Sequence, residues 1–246
     1  MSAADLPPPP VLSRLVEEGP LALFLDFDGT LIELAATPDG IAVPETLAAD
    51  LAALSQRFDG RLALISGRSI ADLERHCGTL AVERAGSHGA ERRRADGSLH
   101  GPAPRGLPRP ALDEIAGFAR TSGIAYEPKP HGAALHSRAA PELDEACALF
   151  MQDVAAAHGL VVKRGKHVAE LVRPGADKGR AVRAFMEEPP FAGSRPVFVG
   201  DDVTDEDGFA ACAGLGGFGV SVGPRKSEAA LYRLADPAAV HQWLEL

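Results

Sequence analysis

The chain contains an early, unbroken run of apolar residues. Residues 21–25 are all Leu, Ala or Phe, and the run stops at Asp26. Apolar side chains at every position favour a strand buried on both faces, as in the middle of a parallel sheet. A second stretch, 61–65, is apolar after Arg61 and stops in the same way at Ser66. The sequence therefore predicts two core strands, each followed directly by a polar residue.

Segments with helical spacing separate these strands from their neighbours. The leucines of residues 44–58 fall on one face of a helix, and a further helix is expected to begin near Ser69. Residues 80–85 predict a third strand. Strands that alternate with helices indicate a parallel α/β sheet.

Residues 97–110 are rich in Gly and Pro and mark a domain boundary. Beyond them, helices and paired strands repeat, which predicts a compact α+β insert with an antiparallel sheet. The predicted elements of the insert are a helix at 111–122, strands at 124–129 and 132–137, a helix at 141–158, and strands at 160–164 and 167–172.

The alternating pattern resumes after the insert. We expect one core domain formed by residues 1–100 and 175–246, interrupted by a smaller domain at 101–174. Its later elements are predicted as a helix at 177–187, a strand at 196–199, a helix at 205–211, a strand at 218–222 and a short helix near Trp243.

The charge balance narrows the range of partners. The net charge of −9 and the pI near 5.4 argue against nucleic acid, because phosphate backbones select basic surfaces. The basic residues 92–94 are accordingly predicted to form a solvated turn. The three cysteines are widely spaced, which favours free thiols in a reducing compartment. The sequence has no membrane-length apolar run and no apolar signal core, so we expect a cytoplasmic protein without a membrane partner. We also expect it to be a monomer.

Polar clusters follow the predicted core strands or open the following helices. Carboxylates suit Mg²⁺, which favours one or two of them together with phosphate oxygens. A serine backed by turn amides can cradle phosphate, and a lysine adds a point charge. Together they predict a phosphoryl-transfer site. The clusters are Asp26/Asp28, Ser66–Arg68, Lys178, and the acidic run that begins at Asp201.

Each cluster taken alone has a plain structural interpretation. An Asp-X-Asp-Gly sequence can form an ordinary turn, and Ser66 can be a helix N-cap. Lys178 can be a solvated helix residue, and acids are favoured at any helix N-terminus. Only the combination and order of the clusters favour a catalytic site.

In that order the clusters resemble the four motifs of the haloacid dehalogenase-like phosphatases. Within that superfamily the chain is similar to the trehalose-6-phosphate phosphatases, in the sequences at 66–68, 86–91 and 200–207. The resemblance implies an α/β fold: a Rossmann-like core with a mainly parallel sheet flanked by helices, plus an inserted α+β cap domain.

The resemblance also implies a mechanism. Asp26 is expected to attack phosphorus and form an aspartyl-phosphate. Asp28 is expected to protonate the leaving sugar oxygen and then to activate water. Ser66 and Lys178 are expected to bind the phosphate oxygens.

The implied cofactor is Mg²⁺. Its expected ligands are Asp26, the main-chain carbonyl of Asp28, and Asp201. Asp202 and Asp205 are expected to bind through water, or to orient the lysine and the metal ligands.

The implied substrate is trehalose 6-phosphate. Two alternatives stay open: a phosphatase for another sugar phosphate, such as sucrose phosphate, and an inactive sugar-phosphate sensor. Closure of the cap is expected to exclude water. The substrate-binding residues implied by the resemblance are Ser66, Gly67, Arg68, His88, Glu127, Lys129, His136, Arg138 and Glu170.

Overall fold

The computed structural model describes residues 6–35, 37–165 and 167–246. The chain divides into two compact units. The first comprises the chain up to Pro102 together with Asp177–Leu246, and the second comprises Ala103–Ala176.

The described residues form eight α-helices, four short 3₁₀ helices and eleven strands. The helices are α1 (Leu12–Glu17), α2 (Leu47–Arg57), α3 (Ile70–Cys77), α4 (Arg109–Ser122), α5 (Asp144–His158), α6 (Lys178–Met186), α7 (Glu206–Gly214) and α8 (Pro237–Leu244). The strands are β1 (Leu21–Leu25), β2 (Leu62–Ile65), β3 (Glu83–Gly86), β4 (Glu91–Arg93), β5 (Ala125–Lys129), β6 (Gly132–His136), β7 (Val161–Gly165), β8 (Val168–Val172), β9 (Arg195–Gly200), β10 (Phe218–Val222) and β11 (Ala230–Leu234). None of the described helices is long and apolar enough to cross a membrane.

The first unit contains a seven-stranded sheet in the order β11-β10-β9-β1-β2-β3-β4. All neighbouring pairs are parallel except β3 and β4. Every residue of β1, β2 and β10 is buried, as the continuous apolar sequences of β1 and β2 predict. Because these strands are parallel, the polar residues that follow β1, β2 and β9 lie at the same edge of the sheet.

Alternate side chains of β1 pack into two apolar clusters on opposite faces of the sheet. Leu21, Leu23 and Leu25 belong to one cluster, and Ala22 and Phe24 to the other. Helices α1, α2, α3 and α8 contribute to the first cluster, and α6 and α7 to the second. Full burial of one such Leu or Phe contributes about 1.5–3 kcal/mol. The sheet is therefore held between two helical layers.

Strand β4 contradicts the prediction of a solvated turn at residues 92–94. Residues 91–93 pair with β3 in an antiparallel ladder. Arg92 is partly buried, and its guanidinium donates to the carbonyl of Gly89 at 3.2 Å. Arginine can lie in a strand here because its long side chain reaches backbone acceptors while its own backbone completes the sheet.

The edge strand β11 was not predicted, and the proline-rich segment before α1 lies beside it. The backbone N–H of Arg233 donates to the carbonyl of Pro7 at 3.0 Å. The indole Nε1 of Trp243 donates to the carbonyl of Pro10 at 2.8 Å. The proline segment is thus fixed to the outer edge of the sheet and to α8.

The second unit is a four-stranded antiparallel sheet in the order β5-β6-β8-β7. Apolar residues of α4 and α5 pack with one of its faces, and Ile115, Leu135, Met151 and Leu171 are buried there. The strand register places Glu127, Ala134 and Glu170 side by side. Since side chains alternate along a strand, this row lies on the face opposite Leu135.

Candidate active site

Asp26 follows the last residue of β1 and lies in the interior of the first unit. Its backbone N–H continues the ladder by donating to Val199 of β9 at 2.9 Å. Its side chain is 6% exposed, and its Oδ1 is 2.7 Å from Nζ of Lys178. The same ammonium lies 2.6 Å from Oδ1 of Asp205, whose side chain is fully buried. The structure thus brings together residues from both ends of the chain.

Lys178 is fixed at the first position of α6. The side chain of Asp177 caps this helix by accepting a hydrogen bond from the N–H of Arg180 at 2.7 Å. Burial alone lowers the pKa of Lys178, but Asp205 and Asp26 outweigh it and raise that pKa above its ordinary value. The lysine is therefore a permanent cation at the bottom of the site.

One ammonium faces three carboxylates in this cluster. Oxygen atoms of Asp26, Asp201 and Asp205 all lie within 4.8 Å of one another. Burial, then repulsion from Asp205, raises the pKa of Asp26 well above its usual range, and Lys178 only partly offsets this. Burial and Asp205 likewise raise the pKa of Asp201 to about 7. The cluster has an excess of negative charge that a second cation would relieve.

The donor set suits a divalent ion. Carboxylate oxygens are the hard ligands that Mg²⁺ binds. The position of the Asp201 carboxylate depends on Gly29. A Cβ atom on Gly29 would lie 2.2 Å from Oδ2 of Asp201, so no larger residue fits. Gly29 also has a φ of +72°, which favours glycine. The loop after Asp28 and the loop after β9 therefore fit closely at this carboxylate.

Asp202 and Asp205 have different places in the acidic loop. The Asp202 side chain accepts from the backbone N–H of Asp205, and Oδ2 of Asp205 accepts from the N–H of Asp202 at 2.8 Å. This reciprocal capping box turns the Asp205 carboxylate toward Lys178. Asp205 thus belongs to the group of clustered carboxylates, while the Asp202 carboxylate caps the turn.

Ser66 is buried at the end of β2. Its N–H donates to Ala85 at 2.9 Å, and its carbonyl accepts from the N–H of His88 at 2.9 Å. Its hydroxyl oxygen accepts from the N–H of Arg68 at 3.1 Å. Since Leu64 pairs with Leu25, Ser66 lies beside the loop that follows Asp26.

Arg68 contacts carboxylates in this structure. Its Nε and Nη2 donate to the two oxygens of Asp28 at 2.6 and 2.8 Å, and its Nη1 donates to Asp72 at 2.6 Å. Burial alone lowers the pKa of Arg68, but these two carboxylates raise it overall. The predicted acid–base residue and a predicted substrate ligand therefore bind each other.

His88 lies in a strained turn beside the Ser66 loop. Its φ is +57°, and Ser87 before it has a φ of +50°. A Cβ atom on Gly67 would lie 2.8 Å from Cε1 of the His88 ring. The imidazole therefore packs directly against the backbone of the turn that bears Arg68.

The remaining predicted residues lie in the second unit. Lys129 pairs with Glu170 at 2.8 Å, and Nε2 of His136 lies 2.8 Å from Glu127. These four side chains share the sheet face that is turned away from α4 and α5. Arg138 follows β6 and is exposed. The face presents both charges and hydrogen-bonding groups to a polar ligand.

Three residues with contacts at the site were missed from the sequence. Asp72 lies four residues after Arg68, a helical ion-pair spacing that could have signalled the contact. Gly29 belongs to the Asp-X-Asp-Gly sequence, but that sequence does not indicate its close approach to Asp201. Arg225 donates to the main-chain carbonyls of Asp201 and Asp202, and no sequence pattern signals these contacts between distant loops.

The sheet order and the inserted antiparallel unit define an α/β fold of the haloacid dehalogenase-like class, as predicted. The C-terminal domain of Candida albicans trehalose-6-phosphate phosphatase superposes with a TM-score of 0.77 at 24% identity, covering 99% of this chain and 98% of that chain. A Bacteroides thetaiotaomicron phosphatase of the haloalkanoate (HAD) superfamily superposes with a TM-score of 0.61 at 15% identity, covering 92% and 93%. At these identities the likeness shows the fold.

Sequence comparison places the chain within that class. Residues 24–238 match the profile of the family described as Trehalose-phosphatase, and the chain belongs to this family. It is 39% identical over 228 residues to trehalose-6-phosphate phosphatase of Escherichia coli (strain K12), covering 92% of this chain and 85% of the relative. It is 40% identical over 206 residues to a probable trehalose-phosphate phosphatase of Sinorhizobium fredii, covering 82% and 78%.

Proposed function

We propose that this protein is a Mg²⁺-dependent phosphatase that hydrolyses trehalose 6-phosphate to trehalose and phosphate. The observation that carries the proposal is the convergence of buried Asp26, Lys178 and Asp205 with partly buried Asp201, from distant parts of the chain. Family membership supports the choice of substrate.

Asp26 is the nucleophile in this proposal. It attacks phosphorus, the bond to the sugar oxygen breaks, and an aspartyl-phosphate forms. Lys178 and Ser66 hold the phosphate oxygens. When bound, Mg²⁺ supplies charge neutralisation between the nucleophile and the phosphate; Asp26, the main-chain carbonyl of Asp28, and Asp201 would hold it. Asp205 orients Lys178, and Asp202 maintains the turn.

Asp28 transfers the protons. In its protonated form Asp28 donates to the leaving sugar oxygen. The resulting carboxylate then accepts a proton from the water that hydrolyses the aspartyl-phosphate, which restores the acid for the next turnover. Its pair with Arg68 has to open for this, and the substrate phosphate offers Arg68 a replacement partner of the same charge. Gly67 and His88 fix the turn that carries Arg68.

The second unit supplies sugar recognition in this proposal, as a substrate-specificity domain. Its paired charges can form charge-assisted hydrogen bonds to the hydroxyls of a disaccharide. The proposed contacts are Glu127, Lys129, His136, Arg138 and Glu170. We further propose that the working form is a cytoplasmic monomer. The free thiols of Cys77, Cys147 and Cys212 agree with a reducing compartment.

A substrate panel tests the function. Phosphate release is measured from trehalose 6-phosphate, sucrose 6-phosphate and glucose 6-phosphate, with Mg²⁺ and with a chelator. We expect the highest kcat/KM for trehalose 6-phosphate and no turnover without the metal. A higher value for another sugar phosphate would reassign the substrate. Binding of trehalose 6-phosphate without any phosphate release would favour a sensor.

The Asp26→Asn variant tests the nucleophile. We expect turnover to fall below detection while the circular dichroism spectrum stays unchanged, because the amide is isosteric but cannot attack phosphorus. Asp153→Asn is the matched control, since Asp153 is an exposed carboxylate on α5. Substantial residual turnover in Asp26→Asn would remove Asp26 as the nucleophile.

A further inference from the structure

Arg225 connects the loop after β10 to the acidic loop after β9. Its Nε donates to the main-chain carbonyl of Asp201 at 2.9 Å, and its Nη2 donates to the carbonyl of Asp202 at 2.9 Å. Two N–H groups of one planar guanidinium thus hold two successive carbonyls. This fixes the orientation of the peptide planes on either side of Asp202.

The guanidinium is itself held in place. Its Nη2 also donates to Oε1 of Glu206 at 2.5 Å, and its Nη1 donates to the carbonyl of Lys226 at 2.8 Å. The other oxygen of Glu206 accepts from the hydroxyl of Ser227 at 3.0 Å and from the N–H of Ala229 at 2.9 Å. Glu206 therefore binds both Arg225 and the loop that bears it.

The held segment includes a candidate metal ligand. Oδ2 of Asp201 lies where a Cβ atom on Gly29 would be only 2.2 Å away, so its carboxylate packs closely against the Gly29 backbone. A rotation of the Asp201–Asp202 peptide would move this carboxylate relative to Asp26. Hydrogen bonds to the main chain are therefore the means by which a residue outside the carboxylate cluster can control its geometry.

We propose that Arg225 is a positioning residue for the Mg²⁺ site and that it acts by clamping the main chain at Asp201 and Asp202. The proposal rests on the metal dependence in the proposed function. Its mechanism predicts that loss of the guanidinium fork weakens Mg²⁺ binding, although no atom of Arg225 belongs to the carboxylate cluster.

The sign of the effect separates positioning from electrostatics. A positive charge near a bound cation repels it, so removing that charge should by itself tighten Mg²⁺ binding. Loss of the clamp should weaken binding, and changes to groups that orient metal ligands typically cost about 10–100-fold in affinity. The two explanations therefore predict opposite changes for Arg225→Gln.

Direct Mg²⁺ titration of the whole protein tests the proposal. Isothermal titration calorimetry and the rise of Tm with Mg²⁺ concentration are measured without substrate for wild type, Arg225→Gln, Arg225→Lys and Arg14→Gln. Arg14→Gln removes the same charge from a side chain that is 73% exposed on α1. We expect at least tenfold weaker binding in Arg225→Gln and wild-type affinity in Arg14→Gln.

The lysine variant isolates the fork. A lysine ammonium keeps the charge but cannot donate in a planar fork to two carbonyls, so we expect Arg225→Lys to bind Mg²⁺ weakly as well. Unchanged or tighter binding in Arg225→Gln would overturn the proposal, as would full affinity in Arg225→Lys. A wild type that binds Mg²⁺ but prefers another sugar phosphate would revise the proposed substrate and leave this inference intact.

Discussion

Both carboxylate oxygens of Asp28 accept hydrogen bonds from the single guanidinium of Arg68, at 2.6 and 2.8 Å. The same guanidinium donates to Asp72 at 2.6 Å. Such a bidentate pair has a defined orientation and is stronger than a neutral hydrogen bond. This pair fixes the position of Asp28, the proposed acid–base residue. A phosphate group that competes for Arg68 can separate the two side chains.

Asp28→Asn is expected to separate the two halves of the reaction. The amide cannot protonate a sugar oxygen, so kcat for trehalose 6-phosphate should fall by about 10²–10⁴-fold. p-Nitrophenyl phosphate has a leaving group that needs no proton, so it should still give a rapid burst of nitrophenol. Rapid-quench or stopped-flow measurement of that burst, with Asp153→Asn as control, checks the prediction. Equal losses of the first step on both substrates would contradict it.

Gly29→Ala is expected to destroy the metal site. The new Cβ would meet Oδ2 of Asp201 at 2.2 Å and displace that carboxylate. The rise of Tm that saturating Mg²⁺ produces in wild type should disappear. Gly78→Ala is a matched control because Gly78 has a φ of +75° but no atom within 4 Å of an added Cβ. Loss of the Mg²⁺ response in both variants would show that backbone strain, and not the contact with Asp201, is responsible.

The stability of the metal-free protein should depend on pH through Asp201. The folded state raises the pKa of this carboxyl from 3.8 to about 7, so it binds a proton more tightly than the unfolded chain does. Its stabilising contribution is complete below about pH 4 and is lost as the pH rises through about 7. Mg²⁺ competes with that proton, so the stabilisation by Mg²⁺ should grow over the same interval.

Thermal unfolding at pH 5.5, 6.5, 7.5 and 8.5, with Mg²⁺ and with a chelator, measures this effect. The difference in Tm should widen with pH in wild type and stay small in Asp201→Asn. A difference that is the same at every pH would show that Asp201 does not exchange its proton for the metal.

Glu170→Gln is expected to impair sugar recognition selectively. Glu170 is 8% exposed at its side chain and pairs with Lys129 at 2.8 Å. Loss of one charged hydrogen-bonding group costs about 1.5–3 kcal/mol, or about 10–100-fold in kcat/KM for the disaccharide phosphate. Hydrolysis of p-nitrophenyl phosphate should change less than threefold. Steady-state kinetics on both substrates tests this selectivity, with Glu142→Gln as a control at an exposed residue. Equal losses of kcat/KM on both substrates would contradict it.

The strands that carry the site could be predicted because a strand buried on both faces has an unbroken run of apolar residues in its sequence. Residues 21–25 are apolar throughout, and so are residues 62–65, so Asp26 and Ser66 stand out as the first polar residues after each strand. The parallel arrangement then brings such residues to one edge. For this reason the neighbourhood of Asp26 and Asp201 followed from the pattern of strands. Lys178, which begins a helix after the insert, was assigned to the site by the order of the motifs in the family that the chain resembles.

Strand β11 escaped prediction for a topological reason. It is parallel to β10, yet only residues 223–229 connect the two strands. Parallel neighbours usually need a connection of a dozen or more residues, so a sequence this short does not suggest one. The contacts of Arg225 arise from that short return loop. They could not be inferred without the arrangement of β9, β10 and β11.

The proline segment that precedes α1 affects whether the edge strand β11 can pair with a second molecule in concentrated solution. An unpaired border strand exposes amide and carbonyl groups that a second molecule could extend. Here the carbonyl of Pro7 occupies the N–H of Arg233 on β11, and residues 7–10 are all prolines, which have no amide hydrogen to offer a further strand. The proline segment therefore disfavours edge-to-edge pairing of a second molecule at β11.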